Sequence, residues 1–142
     1  MFLIDTNVLS ETRKRQRADP GVRAFFSQAL ADDADLYISS VTVGELRRGV
    51  ERIRLRGDRA QALILETWLE TLLNDYDRKI LAVDGDVGQV WGRLRAPHSE
   101  HALDKLIAAT ALIHDLTVVT RNIDDFRATG VRLLNPFSPA VR

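Results

Sequence analysis

The chain opens on Phe2-Leu3-Ile4, a wholly apolar and partly β-branched run that stops at Asp5. Such a run suits a strand buried on both faces in the middle of a parallel sheet. Asp5 would then stand at the carboxyl edge of that strand, where open α/β sheets place their ligands and chemistry. The simpler reading makes Asp5 the cap of the next helix, with Thr6 and Asn7 suited to a turn or cap. Both readings stay open at this point.

Beyond a polar stretch from Glu11 to Arg17, Asp19-Pro20 predicts a helix start, and Val22, Phe25, Phe26, Ala29 and Leu30 follow at helical spacing. Leu36 to Ser39 reads as a second strand, followed by a helix from about Val41 to Arg56 with Val43, Leu46, Val50 and Ile53 inward. Gly57-Asp58 begins another helix, whose apolar stripe is Ala62, Leu65, Trp68 or Leu69, and Leu72. Ile80 to Val83 is a third apolar run ended by Asp84, and Val87, Val90, Trp91 and Leu94 line the helix after it. Ala96 to Ala102 is a loop, and Leu103 to His114 a helix rich in small residues, as packing close to a sheet requires. Leu116 to Thr120 is a strand, Arg121 to Phe126 a polar turn, Gly130 a stop signal, and Val131 to Leu134 a last strand before a tail with Pro136 and Pro139.

Strands alternating with helices predict an α/β fold with a parallel sheet and helices on both faces. With 142 residues, the chain is expected to form one domain, 1–142, burying about two-thirds of its unfolded surface. Parallel strands share one carboxyl edge, so polar residues just after each apolar run converge although they lie far apart in sequence.

Charge narrows the function. Lys plus Arg (20) balances Asp plus Glu (20), so a polyanion must be gripped by a local patch and not by a global field. The absence of cysteine removes thiolate metal sites and cysteine nucleophiles and suits a reducing cytoplasm. The apolar run after Met1 is too short for a signal peptide, and none approaches the ~18 residues of a membrane span. A soluble cytoplasmic protein with no membrane partner is the expectation.

The polar residues placed at the active edge are Asp5, Glu45, Asp104, Asn122, Asp124 and Asp125. Each has a local explanation: Thr42-x-x-Glu45 has the spacing of a capping box, Asp104 is an acid at a helix amino end, and Asp124 or Asp125 can cap the turn before Phe126. Their joint placement argues for more. Carboxylates brought together repel unless a cation lies among them, and hard oxygen donors without Cys or a well-spaced His pair select Mg²⁺ or Mn²⁺. His98 and His101 read as exposed loop residues, because no third N or S ligand lies near them in sequence. His114 suits the carboxyl end of its helix.

Five segments carry a family resemblance: Phe2 to Glu11, Ile38 to Gly49, Trp91 to Leu94, Asp104 to Ala111, and Val118 to Phe126. Together they resemble the PIN-domain ribonucleases of the VapC type, FitB-like subgroup, over a match from Phe2 to about Phe137. The resemblance implies a three-layer α/β/α sandwich around a short parallel sheet, with Asp5, Glu45 and Asp104 binding Mg²⁺ or Mn²⁺. The fourth position falls to Asp125 or Asn122. Thr6 and Thr120 are hydroxyls placed to orient the ligands.

It also implies an endoribonuclease, the toxin of a type II toxin-antitoxin pair, cutting RNA with a metal-activated water to leave 5′-phosphate and 3′-hydroxyl ends. Expected partners are an RNA substrate, a small antitoxin and a second copy in a homodimer, with DNA reached only through the antitoxin complex. Candidate RNA contacts are Arg121, Arg47 and Arg48, with Arg13, Lys14, Arg15, Arg17, Arg93 and Arg95 as further basic groups. Two rival readings stand beside this one. A non-catalytic PIN fold would only bind a partner, and a phosphatase with Asp5 as nucleophile would want a second Asp where Asn7 stands.

Overall fold

In the computed structural model, which describes residues 1–139, β1 (Phe2–Ile4) lies at the centre of a five-stranded parallel sheet. The other strands are β2 (Leu36–Ser39), β3 (Ile80–Leu81), β4 (Thr117–Val119) and β5 (Leu133–Leu134), in the order β3-β2-β1-β4-β5. β1 pairs with β2 through Phe2 and Leu36, and with β4 through Ile4 and Val119. The connection from β1 runs outward to β2, while β4 pairs on the opposite side of β1. The gap between the ends of β1 and β4 is therefore a switch point of the sheet, where such folds bind ligands.

Strand periodicity divides the core in two. Ile4, Ile38 and Val119 face a layer that includes Val8 and Leu9 of α1 (Thr6–Thr12) and Val22 of α2 (Pro20–Ala31). The same layer takes Leu46 and Val50 of α3 (Ser40–Leu55) and Leu65, Leu69 and Leu72 of α4 (Arg59–Asp75). Leu3 and Val118 face the opposite layer, with Ile107, Ala108 and Ala111 of α6 (Ala102–His114) and Phe126 of α7 (Ile123–Phe126). α5 (Gly85–Arg95) packs on α6. Ala108 and Ala111 of α6 pack in one cluster with Leu3 and Val118 of the sheet, as its richness in small residues predicts.

Several sequence expectations are refined. The polar segment after β1 is already helical at Thr6, so Asp5 is indeed an N-cap. Leu30 does not join the buried stripe of α2. It is 85% exposed, whereas Val22 and Ala29 are buried and Phe25 and Phe26 pack against the core. Leu69 is fully buried, whereas Trp68 is half-buried. The third and last strands keep only Ile80–Leu81 and Leu133–Leu134, the stretches with a parallel neighbour to pair with. In the tail, Asp19 Oδ1 accepts from Gly21 N, Val22 N and Ser138 N, and a Cβ on Gly21 would come within 2.2 Å of Pro136 O. Only glycine lets the tail cross α2 so closely.

Candidate active site

Asp5 is both a cap and the buried centre of a polar network. Its Oδ1 accepts from Thr6 N at 2.8 Å, and its Oδ2 accepts from Thr120 Oγ1 at 2.8 Å and Asn7 Nδ2 at 3.3 Å. Asn7 reaches further: its Nδ2 also donates to Thr120 Oγ1 at 3.4 Å, and its Oδ1 accepts from Arg121 N at 3.1 Å. Thr120 Oγ1 accepts from Asn122 N at 3.0 Å. The ends of β1 and β4 are thus tied together across the switch point. Asn7 stands where a phosphatase of the Asp-nucleophile kind would need a second carboxylate, and it acts here as a donor to Asp5.

Glu45 corrects one local reading. α3 begins at Ser40, and its N-cap is Ser39, whose side chain accepts from Val41 N. Thr42 therefore lies inside the helix, and its buried hydroxyl has no hydrogen-bond partner among the described residues. No capping box forms. Glu45 is left to face α1, where its Oε1 accepts from Thr6 Oγ1 at 2.7 Å. The two threonines beside the acids, Thr6 and Thr120, each hold a carboxylate in place.

Asp104 sits in the first turn of α6 and Asp125 in α7. Burial pushes the Asp5 carboxyl up to about 6, with Asp104 and Glu45 adding to the rise and the Thr120 and Thr6 hydrogen bonds opposing it. Asp104 is raised as well, first by burial, then by the charges of Asp125 and Glu45, with His101 pulling the other way. The charges of Glu45 and Asp104 thus reach Asp5, and those of Glu45 and Asp125 reach Asp104. Neighbouring carboxylates that disfavour the ionisation of Asp5 and Asp104 fit a hard divalent cation such as Mg²⁺ or Mn²⁺.

Asn122 is exposed at the N-cap of α7 and makes no side-chain cap bond. Asp124 points outward, with Arg127 Nε 3.4 Å from its Oδ1. Arg121 is exposed on this edge, its guanidinium 4.6 Å from the centre of the Phe137 ring. Arg47 is bound to Glu66 of α4 at 2.7 Å, and Arg48 is exposed on α3.

The loop before α6 adds a residue that sequence reasoning set aside. His98 and His101 are both exposed, as expected. Yet the His101 ring lies against the acids, with Nδ1 4.0 Å from Asp104 Oδ2 and Nε2 3.7 Å from Asp125 Oδ1. Its partners are carboxylates brought in by the fold, so a search for neighbouring N or S ligands in sequence misses them. The three-residue spacing from Asp104 was the available signal.

A model of the PIN domain matches residues 2–131. The chain belongs to the PIN domain family. Among curated proteins it is 35% identical to Toxin FitB of Neisseria gonorrhoeae, over 96% of this chain and 99% of that protein. It is 32% identical to VapC ribonuclease Y4jK of Sinorhizobium fredii, over 99% of this chain and 100% of that one. Among solved structures, FitAcB from Neisseria gonorrhoeae superposes with a TM-score of 0.84 at 34% identity, covering 96% of this chain and 98% of that one. FitAB bound to an IR36 DNA fragment gives 0.80 at 31% identity, covering 99% of each chain. The parallel sheet between two helical layers is the PIN architecture. The acids at its carboxyl edge fall within the matched residues.

Proposed function

We propose that this chain is a single-domain PIN endoribonuclease, the toxin of a toxin-antitoxin pair, which hydrolyses RNA phosphodiesters with Mg²⁺ or Mn²⁺. The observation that carries the reading is that Asp5, Glu45 and Asp104, from three separate elements, lie near enough for the charges of Asp104 and Glu45 to raise Asp5 and for that of Glu45 to raise Asp104. The names of its relatives, a toxin and a ribonuclease, support it.

In this reading Asp5, Glu45 and Asp104 hold the metal, and Asp125 with Asn122 completes the site. A divalent ion bound there supplies an activated water and positive charge to offset that developing on the attacked phosphodiester. Thr120, Asn7 and the Thr6 amide fix both oxygens of Asp5, so little reorganisation remains when RNA arrives. Glu45, aimed by Thr6, ligates the ion or orients the attacking water. The water oxygen bonds to phosphorus as the bond to the 3′ oxygen breaks, leaving a 5′-phosphate and a 3′-hydroxyl. Arg121, and more weakly Arg48 and Arg47, contact the RNA backbone.

Solved relatives that are complexes, one of them on DNA, support an antitoxin partner here and DNA contact through that partner. A homodimer and a cytoplasmic location complete the proposal. No helix among the described residues is long and apolar enough to cross a membrane. The test compares the wild type with Asp5→Asn and Asp104→Asn on a panel of cellular RNAs, with Mg²⁺ and with chelator. Both substitutions and the chelator should abolish cleavage; cleavage that survives any of them refutes the mechanism.

A further inference from the structure

We infer that His101 supplies a nitrogen donor to the metal site, beside Asp104 and Asp125, and thereby tilts its preference from Mg²⁺ toward Mn²⁺. The inference rests on the metal-dependent reading above and names a residue that determines which ion the site takes.

One ligand-capable atom from each of His101, Asp104 and Asp125 lies within 4.8 Å of the other two. Two donors on one ion with bonds of about 2.1 Å lie about 3 Å apart at right angles and about 4.2 Å apart when opposite. In the structure the ring faces the acids through different nitrogens, Nδ1 4.0 Å from Asp104 Oδ2 and Nε2 3.7 Å from Asp125 Oδ1, so a small turn of the ring would present one nitrogen to an ion held by both carboxylates. The two acids reach this point from α6 and α7, and the ring comes from the loop between α5 and α6. The ring is exposed enough to turn and brings no positive charge when it binds through a neutral nitrogen.

The loop is held so that the ring stays there. His101 occupies the left-handed region, with φ of 55°, at the N-cap position of α6 and makes no side-chain cap bond. Lys105, itself buried, donates from Nζ to the carbonyls of Glu100, at 2.6 Å, and His98, while its backbone N donates to His101 O at 2.9 Å. Trp91 Nε1 donates to Ala102 O at 2.9 Å. His101 is thus gripped on both sides by α5 and α6, and only its imidazole is free to meet a ligand.

The chemistry then sets the preference. Mg²⁺ favours oxygen donors and retained water, and gains little from imidazole. Later first-row ions gain more from a nitrogen ligand, and Mn²⁺ is the first of them. His101 therefore matters for Mn²⁺ and hardly at all for Mg²⁺.

The experiment measures Mg²⁺ and Mn²⁺ binding by calorimetry for the wild type, His101→Ala, the control His98→Ala, and Asp104→Asn. A parallel NMR experiment follows the imidazole resonances as Mn²⁺ is added, which is simple because the chain has 3 histidines. His101→Ala should weaken Mn²⁺ about tenfold while leaving Mg²⁺ within about twofold, one ligand fewer being worth about 1.4 kcal/mol at tenfold. His98→Ala should match the wild type, and the His101 resonance should broaden at the lowest Mn²⁺. Unchanged Mn²⁺ affinity in His101→Ala, with Asp104→Asn binding neither ion, overturns the His101 assignment and leaves the nuclease reading standing. Wild type that binds neither ion, or Asp104→Asn that binds as well as wild type, overturns both.

Discussion

Thr6 Oγ1 donates to Glu45 Oε1 at 2.7 Å, joining the first turn of α1 to α3 across 39 residues of sequence. Through it, the helix that Asp5 caps also aims the second acid of the site. Thr6→Val keeps the shape and removes the donor. It should cost about 0.5–1.5 kcal/mol, the net worth of one hydrogen bond at a half-buried site. Its effect on cleavage should be larger, because Glu45 loses its aim. Urea unfolding and cleavage rates on one RNA check both halves; equal, small effects would show that Glu45 needs no help from Thr6.

Asp5 makes the metal-free protein sensitive to pH in a definite direction. Its folded pKa of about 6 exceeds the ordinary 3.8, so the unfolded chain loses this proton first as pH rises. The stabilisation is therefore complete below pH 3.8, falls as pH rises, and is gone above about 6. The difference corresponds to about 3 kcal/mol at most. Asp104 is raised too and acts in the same sense. Asp5→Asn should flatten this fall, so in the presence of chelator its gain over wild type grows between about pH 4 and pH 7. Mn²⁺ should restore wild-type stability more at the higher pH. Denaturation midpoints at both pH values measure it.

Lys105→Met removes the buried ammonium that holds the carbonyls of His98 and Glu100. The expected loss is about 1–3 kcal/mol, since two acceptors lose a charged donor and gain no other. Amide exchange should quicken from residue 98 to residue 104 and stay unchanged in β1 and β4. Uniform quickening would mean that Lys105 supports the whole fold and not this loop.

Arg121 stands beside the acids with its charge exposed and its backbone held by Asn7. Arg121→Ala should raise KM for RNA several-fold with little change in kcat. It should also lower the salt dependence of RNA binding by about one unit of log-log slope, because one phosphate fewer is neutralised. Binding isotherms at several salt concentrations decide it. An unchanged slope would place the RNA backbone elsewhere.

Much of this molecule is local and can be read residue by residue. Phe2-Leu3-Ile4 announces a doubly buried strand because every position is apolar, and Leu3 and Ile4 indeed go to opposite cores. Asp19-Pro20 marks a helix start because proline's fixed φ suits a first turn, and α2 begins at Pro20. The acids after the apolar runs point to the active edge for the same reason, since a parallel sheet makes the ends of its strands neighbours.

Element order followed from the amino acids alone, and Asp5, Glu45 and Asp104 could be named from them as candidates, since periodicity and the polar residues near the ends of apolar runs are properties of short segments. Tertiary contact decided the rest. It turned Glu45 toward Thr6, took Leu30 out of the core, and laid His101 against two carboxylates. Glu45 and His101 each met a partner brought from another element, and only the packed chain contains that partner.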